Sequence, residues 1–292
     1  MQSLKGMSVV VTGAGGAIGS EIVASLARRQ ARIVAASLPG DLGASAAVDN
    51  ARELGAEACL AALDIQSPEQ VAAVIGKALD AWGRIDVLIN NAGRFHAIGA
   101  LWEQDPEVWL ADVTTNLFGT FLCCRAAVPP MLRAGRGTII NLVGGGFDIP
   151  NPGGTSYASS KAGVARLTDT LAAELSGEGL PIAVHAIMPG LVRSKMTEEL
   201  ASSQTGLRWL PHVAEGLSAH EDVSAAEVAE GVVRLVERAH EIPSGRVLNW
   251  DDDLDQIVRA ADCIATEDLF QIRWKRDTPM FANNPGSEPR SR

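Results

Sequence analysis

The sequence predicts an α/β fold: a single doubly wound, parallel, seven-stranded sheet with helices on both faces and a C-terminal extension beyond it. Three observations predict it. Seven short runs are apolar along their whole length, as strands buried on both faces must be. Amphipathic segments of about ten residues or more separate them, long enough for the crossovers that parallel strands require. No internal stretch rich in Gly, Ser or Pro divides the chain, so residues 1–250 read as one domain and residues 251–292 as the extension. Right-handed crossovers then distribute the helices over both faces.

Residues 8–11 (Ser-Val-Val-Val) open the series as a strand, followed by a helix over 17–30 and a strand over 31–37. A helix over 44–54 and a strand over 56–63 come next. Ser67 starts the third helix: Pro68 suits the first helical position, Gln70 stands where a capping box needs it, and Gly83 stops the helix after Ala81. Residues 85–90 form an apolar strand. Asp105-Pro106 begins a helix whose pattern continues past Asn116 to Arg133, bounded by Gly135. A strand over 138–143, a helix over 156–175 and a strand over 182–188 follow. Ser224 and Glu227 repeat the capping-box spacing and start a helix reaching Arg238, and residues 246–250 make the last strand. Two segments stand outside the alternation. Residues 197–224, with Trp209 and His212, read as a long loop, and such loops inside compact domains are usually functional. Residues 254–264 read as a helix, after which a Pro/Asn/Gly/Ser stretch is expected to be disordered.

Composition narrows the function classes. The 292 residues are 47% hydrophobic and 21% charged, enough apolar mass for a core and against wholesale disorder. A formal charge of −10, from 25 Lys+Arg and 35 Asp+Glu, disfavours a nucleic-acid partner. No apolar run nears the roughly 18 residues of a membrane span, so no membrane partner is expected. Cys59, Cys123, Cys124 and Cys263 lack Cys-x-x-Cys spacing, which points to a reducing compartment. The first strand starts at Ser8, leaving no room for a leader, and a cytoplasmic protein is expected. No metal site is expected: Cys123-Cys124 sits on a helical face, and Trp250-Asp251-Asp252-Asp253 lacks the alternating ligand spacing of a calcium loop.

The chemistry begins at Thr12-Gly13-Ala14-Gly15-Gly16-Ala17-Ile18-Gly19, directly after the first strand and opening a helix. Glycines there let backbone amides approach a pyrophosphate at the positive helix end. The six-residue step from Gly13 to Gly19 does not fit Gly-x-Gly-x-x-Gly. It fits Thr-Gly-x-x-x-Gly-x-Gly, with Ala17 in place of the middle glycine. Further motifs follow in order: Asn90-Asn91-Ala92-Gly93 closing the fourth strand, Asn116 within a helix, Tyr157-Ala158-Ser159-Ser160-Lys161, and Pro189-Gly190 with Val192 and Ser194 after the sixth strand. Over residues 5–250 the chain resembles the short-chain dehydrogenase/reductase family. Any one motif is common; five in order at the right strand ends are specific.

The resemblance implies a Rossmann-type, dinucleotide-binding domain that also holds the substrate site. It implies an NAD(P)-dependent oxidoreductase interconverting an alcohol and a ketone. Gly13, Gly15, Ala17, Ile18, Gly19, Ser37, Asp64, Ile65, Asn91, Ala92, Gly93, Pro189, Gly190, Val192 and Ser194 would line the cofactor, with Asp64-Ile65 bordering the adenine. Tyr157 would exchange a proton with the substrate oxygen. Lys161 would hold the nicotinamide ribose and tune Tyr157, and Asn116 would kink its helix and anchor a relay water. Elementary chemistry agrees with part of this. Residues 157 and 161 share a helix face, and a cation one turn away moves a phenol from its usual pKa of about 10 towards neutrality. Tyr-x-x-x-Lys also occurs on ordinary helices, but Tyr157 is the chain's single tyrosine.

One departure matters. The family usually has a Ser about 13 or 14 residues before the Tyr, where this chain has Val143 and Gly144. Three readings stay open: a backbone amide of Gly144-Gly145-Gly146, or Thr155 or Ser156, replaces the donor; the substrate carries its own activating group; or the protein is a cofactor-binding, non-redox or regulatory relative with an impaired site. Ser37 stands where NAD users carry an acid, and no basic residue follows it; with Gly16 where NADP users often have a cation, NAD is favoured over NADP. Phe95, His96, Phe147, Ile149, Met188 and the region of Trp209 are candidate substrate contacts, suggesting a hydrophobic alcohol or ketone. His96 and His212 read as surface or packing residues rather than catalysts. The helices holding Asn116 and Tyr157 suggest a homodimer or homotetramer, and residues 254–270 are expected over the substrate mouth or against a neighbouring subunit.

Overall fold

The computed structural model describes residues 2–271. Seven strands form one parallel sheet in the order β3-β2-β1-β4-β5-β6-β7. The chain runs β1 (Ser8–Thr12), α1 (Ala17–Arg28), β2 (Arg32–Ser37), α2 (Leu42–Glu53), β3 (Ala58–Ala62), α3 (Pro68–Trp82) and β4 (Val87–Asn90). It continues with α4 (Pro106–Val113), α5 (Gly119–Arg133), β5 (Gly137–Leu142), α6 (Thr155–Gly177) and β6 (Ile182–Met188). Then come α7 (Lys195–Ser202), α8 (Gln204–Trp209), α9 (Pro211–Ser218), α10 (Ala225–Arg238), β7 (Val247–Asn249), α11 (Leu254–Arg259) and α12 (Ala261–Thr266). Among the described residues no helix is long and apolar enough to cross a membrane.

Adjacent residues of one strand enter opposite layers. Val9 and Val11 face a cluster with Ile22, Leu26, Val232 and Val236 of α1 and α10, whereas Val10 faces one with Val71, Val74 and Met131 of α3 and α5. That alternation with no exposed face is why the strands read as unbroken apolar runs. Strand order reverses between β1 and β4, and open α/β sheets bind ligands outside the strand ends at such a switch point.

Caps fix most helix starts. Ser67 accepts from the Gln70 amide and Gly83 closes α3 at φ 73°. The expected capping box there is only half made, because the Gln70 side chain accepts from the Asp64 amide at 2.8 Å instead. At α10 the box is reciprocal between Ser224 and Glu227. The helix expected to run on to Gln30 ends at Arg28, where Gln30 adopts φ 57°.

Three expectations need correction. The helix predicted from Asp105 to Arg133 is interrupted by a π-turn over Thr114–Phe118, centred on Asn116. Residues 197–224 are three short helices, α7 to α9, rather than a loop; each is too short to show a periodic pattern. The helix predicted over 254–264 breaks at Ala260 into α11 and α12. Their Leu254, Ile257 and Ile264 join the α1–α10 core, and the Val247 amide donates to the Phe270 carbonyl at 2.8 Å. Within this chain, then, the start of the extension joins the α1–α10 core and reaches the outer edge of β7; its expected disordered end lies outside the described residues.

Candidate active site

The N-terminus of α1 is built to leave donors free. Its cap, Gly16, places no side chain on the first-turn amides, and no acidic residue occupies that turn. Space is equally restricted: a Cβ on Gly19 would lie 2.1 Å from the Gly13 carbonyl, and one on Gly13 2.8 Å from the Ala92 Cα. Gly13 itself stands at φ 64°. Asn91 and Ala92 hold this turn rather than project from it. Both amides donate to Thr12 Oγ1 at 3.1 Å, and Asn91 Nδ2 donates to the Thr12 and Gly13 carbonyls at 3.0 Å. A helix end with uncapped amides and no room for side chains fits an anionic pyrophosphate.

Asp41 brings a carboxylate to the end of β2, where the sequence has Ser37. Its Oδ2 accepts from Ser37 Oγ, and its Oδ1 accepts from Gly43 N at 2.9 Å and Ala44 N at 3.3 Å as the cap of α2. The carboxylate lies over the phosphate turn, where a Cβ on Gly15 would meet Asp41 Oδ2 at 2.2 Å. Sequence reasoning passed over Asp41 because it follows the strand by four residues across Pro39-Gly40. On the other side of the turn, Asp64 accepts from the Gln66 amide at 3.0 Å, and Ile65 is buried beneath α5, close enough that only glycine fits at 119.

Asn116, Lys161 and Tyr157 do come together. Asn116 is fully buried; its Oδ1 accepts from Arg94 N at 2.8 Å, while its Nδ2 donates to Arg94 O at 2.9 Å and Ser160 Oγ at 3.0 Å. Its helix takes a π-turn there, and its side chain clamps the β4 exit to α6. Lys161 Nζ donates to the Leu142 carbonyl at 2.9 Å and lies 5.6 Å from the Tyr157 ring centre. Gly93 faces both, its missing Cβ being 3.3 Å from Asn116 Oδ1 and 3.6 Å from Lys161 Nζ.

The Tyr157 ring stacks on Phe95, centroids 4.5 Å apart and planes 18° apart, and its hydroxyl rests against Gly144. Loss of water around it pushes the phenol up to about 12 and the Lys161 ammonium down to about 8. This reverses the expected direction for Tyr157: desolvation outweighs the nearby amine, which bonds to a carbonyl and not to the phenol.

The side chains named as replacement donors are engaged elsewhere. Thr155 Oγ1 accepts from Trp109 Nε1 at 3.1 Å and donates to Gln104 at 3.2 Å; Ser156 Oγ donates to Asp112 at 2.8 Å. Asp112 is a hub that the sequence reading missed. Fully buried, it also accepts from Arg94 Nε at 2.8 Å, Ala97 N at 2.9 Å and His96 N at 3.0 Å. A carboxylate in the last turn of a largely apolar helix was the available signal. After β6, Gly190 turns at φ 74°, Val192 bridges to Val223, and Ser194 caps α7 reciprocally with Thr197, so its hydroxyl serves the helix.

Of the candidate substrate contacts, Phe95 joins Leu200, Leu210 and Val213 in a cluster that Tyr157 and Trp209 border. Phe147 and Met188 pack beside Val143 in a second one. Ile149 is exposed, as are His96 and His212.

The family model described as short chain dehydrogenase matches residues 7–205. The chain belongs to the short-chain dehydrogenase/reductase family. Within it, the chain is 34% identical over 211 residues to a 3-oxoacyl-acyl-carrier-protein reductase of Synechocystis sp., covering 72% of this chain and 84% of the relative. A second 3-oxoacyl-acyl-carrier-protein reductase, from Thermotoga maritima, is 31% identical over 253 residues, 86% of this chain and 98% of that one. Among solved structures, a variant actinorhodin polyketide ketoreductase with NADPH superposes with a TM-score of 0.74 at 30% identity, covering 85% of this chain and 97% of its own. This family member is an oxidoreductase of a family that binds NAD(P).

Proposed function

We propose that the protein reduces a hydrophobic ketone, or oxidises the corresponding alcohol, with NAD(H) as cofactor and Tyr157 as the proton donor and acceptor. The observation that carries this is the convergence of the Tyr157 hydroxyl, Lys161 and Gly93 at the ends of β4 and β5, beside the uncapped start of α1. The relatives named as reductases of 3-oxoacyl groups and as a polyketide ketoreductase support a ketone substrate. Apolar Phe95, Phe147, Met188 and Trp209 support a hydrophobic one.

Gly13, Gly15, Ala17, Ile18 and Gly19 would hold the pyrophosphate, Asp41 with Ser37 the adenosine ribose, and Asp64-Ile65 the adenine edge. Ala92, Gly93 and Lys161 would face the nicotinamide ribose, with the Pro189–Ser194 stretch beside the ring. A bound nicotinamide supplies or accepts the hydride; the chain's own work is orientation and proton handling. Tyr157 presents its proton to the substrate oxygen, and Lys161, held by the Leu142 carbonyl, stabilises the phenolate left behind. The Asp41 carboxylate over Gly15, with no cation at 15 or 16, favours two ribose hydroxyls over a dianionic phosphate. Exposed Leu110, Phe118 and Phe121 on α4, the π-turn and α5 support assembly with a second copy.

Gly144 favours a second reading, a cofactor-binding relative without redox chemistry. Turnover separates the two. Fluorescence titration should show tighter binding of NADH than of NADPH, with Asp41→Ala narrowing the gap. Oxidation of bound NADH by ketones should vanish in Tyr157→Phe with cofactor affinity kept within a few fold. Equal affinities, or turnover in Tyr157→Phe, defeats the corresponding assignment.

A further inference from the structure

The end of β5 offers donors of an unusual kind. The Val143 amide is spent on the Ile187 carbonyl, and the Phe147 amide closes a turn onto Gly144 O at 3.3 Å. Between them, the amides of Gly144, Gly145 and Gly146 have no acceptor among the described residues. The turn is fixed from behind: Gly146 stands at φ 89°, and a Cβ on it would meet Asn151 at 2.7 Å and Ala158 of α6 at 3.0 Å. Its front is open, with nothing within 4 Å of a Cβ on Gly145. At Gly144 the front is occupied by the phenol: a Cβ there would lie 2.3 Å from Tyr157 Oη and 3.0 Å from the ring carbons Cε1 and Cζ. The hydroxyl thus fills the volume that any side chain at 144 would need.

We propose that this glycine turn is the oxyanion-type donor of the site: the free amides at Gly144 and Gly145 hydrogen-bond the reacting oxygen beside the Tyr157 hydroxyl, and glycine at 144 is what admits the phenol. The inference rests on the ketone–alcohol reading above. During reduction the carbonyl carbon gains the hydride supplied by the cofactor. The carbonyl π pair moves to oxygen, and that oxygen takes the Tyr157 proton. The amides transfer nothing; they lower the energy of the developing charge from positions fixed before reaction, where donors are most effective. Restoring the family's serine therefore disables the site instead of repairing it.

The test uses the full chain with cofactor and a ketone that the unmodified protein reduces. Gly144→Ser should lower kcat about a hundredfold, the order expected for a displaced oxyanion donor. Gly145→Pro, which lacks the N–H, should fall about as far below Gly145→Ala, which keeps it and places its Cβ in open space. NADH affinity by fluorescence should stay within a few fold in all three. Because Tyr157 is the chain's single tyrosine, ultraviolet titration reports on it alone. Gly144→Ser should push the hydroxyl out and bring its midpoint down from about 12 towards the ordinary value. A Gly144→Ser protein as fast as the original or faster, or equal rates for the proline and alanine variants at 145, overturns the proposal while leaving the redox reading intact. An unmodified protein that reduces no ketone removes both. Should Gly144→Ser fail to fold, the 145 pair still decides.

Discussion

The two halves of the cleft solve their tasks with different parts. On the β1–α1 side, recognition is made of backbone: uncapped amides, a turn at φ 64°, and contacts so close that a single Cβ would strike a carbonyl at 2.1 Å. On the β5–α6 side it depends on side chains that are buried, stacked and desolvated, with Tyr157 against Phe95 and Lys161 against a carbonyl. The first half tolerates little change and follows its family's pattern apart from Ala17. The second has Gly144 where the family's serine is expected, and on the proposal above that moves a donor from a side chain to the main chain.

Four measurements would break or sharpen that contrast, beginning with the largest effect. Gly19→Ala forces a methyl into the Gly13 carbonyl and should destabilise the protein by about 3 kcal/mol, with cofactor affinity lost, by denaturant unfolding and titration. A well-folded, cofactor-binding alanine variant would show the cradle to be less rigid than described. Asp112→Ala removes the carboxylate shared by Arg94, the 96–97 amides and Ser156, and should cost about 3 kcal/mol. Its damage should appear in kcat, since Tyr157 lies one residue beyond Ser156, with the Gly13–Gly19 turn unaffected.

Lys161→Met should stabilise the protein at neutral pH by up to about 3 kcal/mol while abolishing turnover, because the folded state now binds that proton less tightly than the unfolded chain. The sign is specific. A lysine lowered from 10.5 to about 8 costs stability in full below pH 8, and the cost fades as pH rises from about 8 to 10.5. The stability gap between Lys161→Met and the unmodified chain should close over that window. A constant gap would mean that the ammonium is not desolvated. Tyr157 works oppositely: with its phenol raised to about 12, it leaves stability unchanged below its ordinary value of 10 and costs the folded state increasingly as pH rises from about 10 to 12, because the unfolded chain ionises first. The smallest effect belongs to a cap. Ser194→Ala should cost about 1 kcal/mol and raise KM for the ketone as well as for the cofactor, since α7 packs through Met196 and Leu200 against Phe95 and Tyr157.

Much of the fold was legible because strand burial and helix capping are local in sequence. The apolar runs, Ser67-Pro68, Gly83 and Ser224 with Glu227 marked elements close to where they lie. The short helices α7–α9 were not legible, since six to eight residues carry hardly two turns of pattern. In the site, Tyr157, Lys161 and the Gly13–Gly19 turn stood out by spacing. Asp41 and Asp112 did not, because what makes each important is a partner far away in sequence or a carboxylate folded back over a glycine.

By itself the sequence determined the order of elements, the parallel sheet, the phosphate turn and the shared helix face of Tyr157 and Lys161, all consequences of periodicity and local backbone preference. Tertiary structure alone decided which groups face each other. It brought Asp41 over Gly15, turned Thr155 and Ser156 away towards α4, and set the Tyr157 hydroxyl against Gly144. It also fixed the direction of the phenol's titration, because the loss of water around a side chain depends on everything that packs about it and on no single neighbour in the chain.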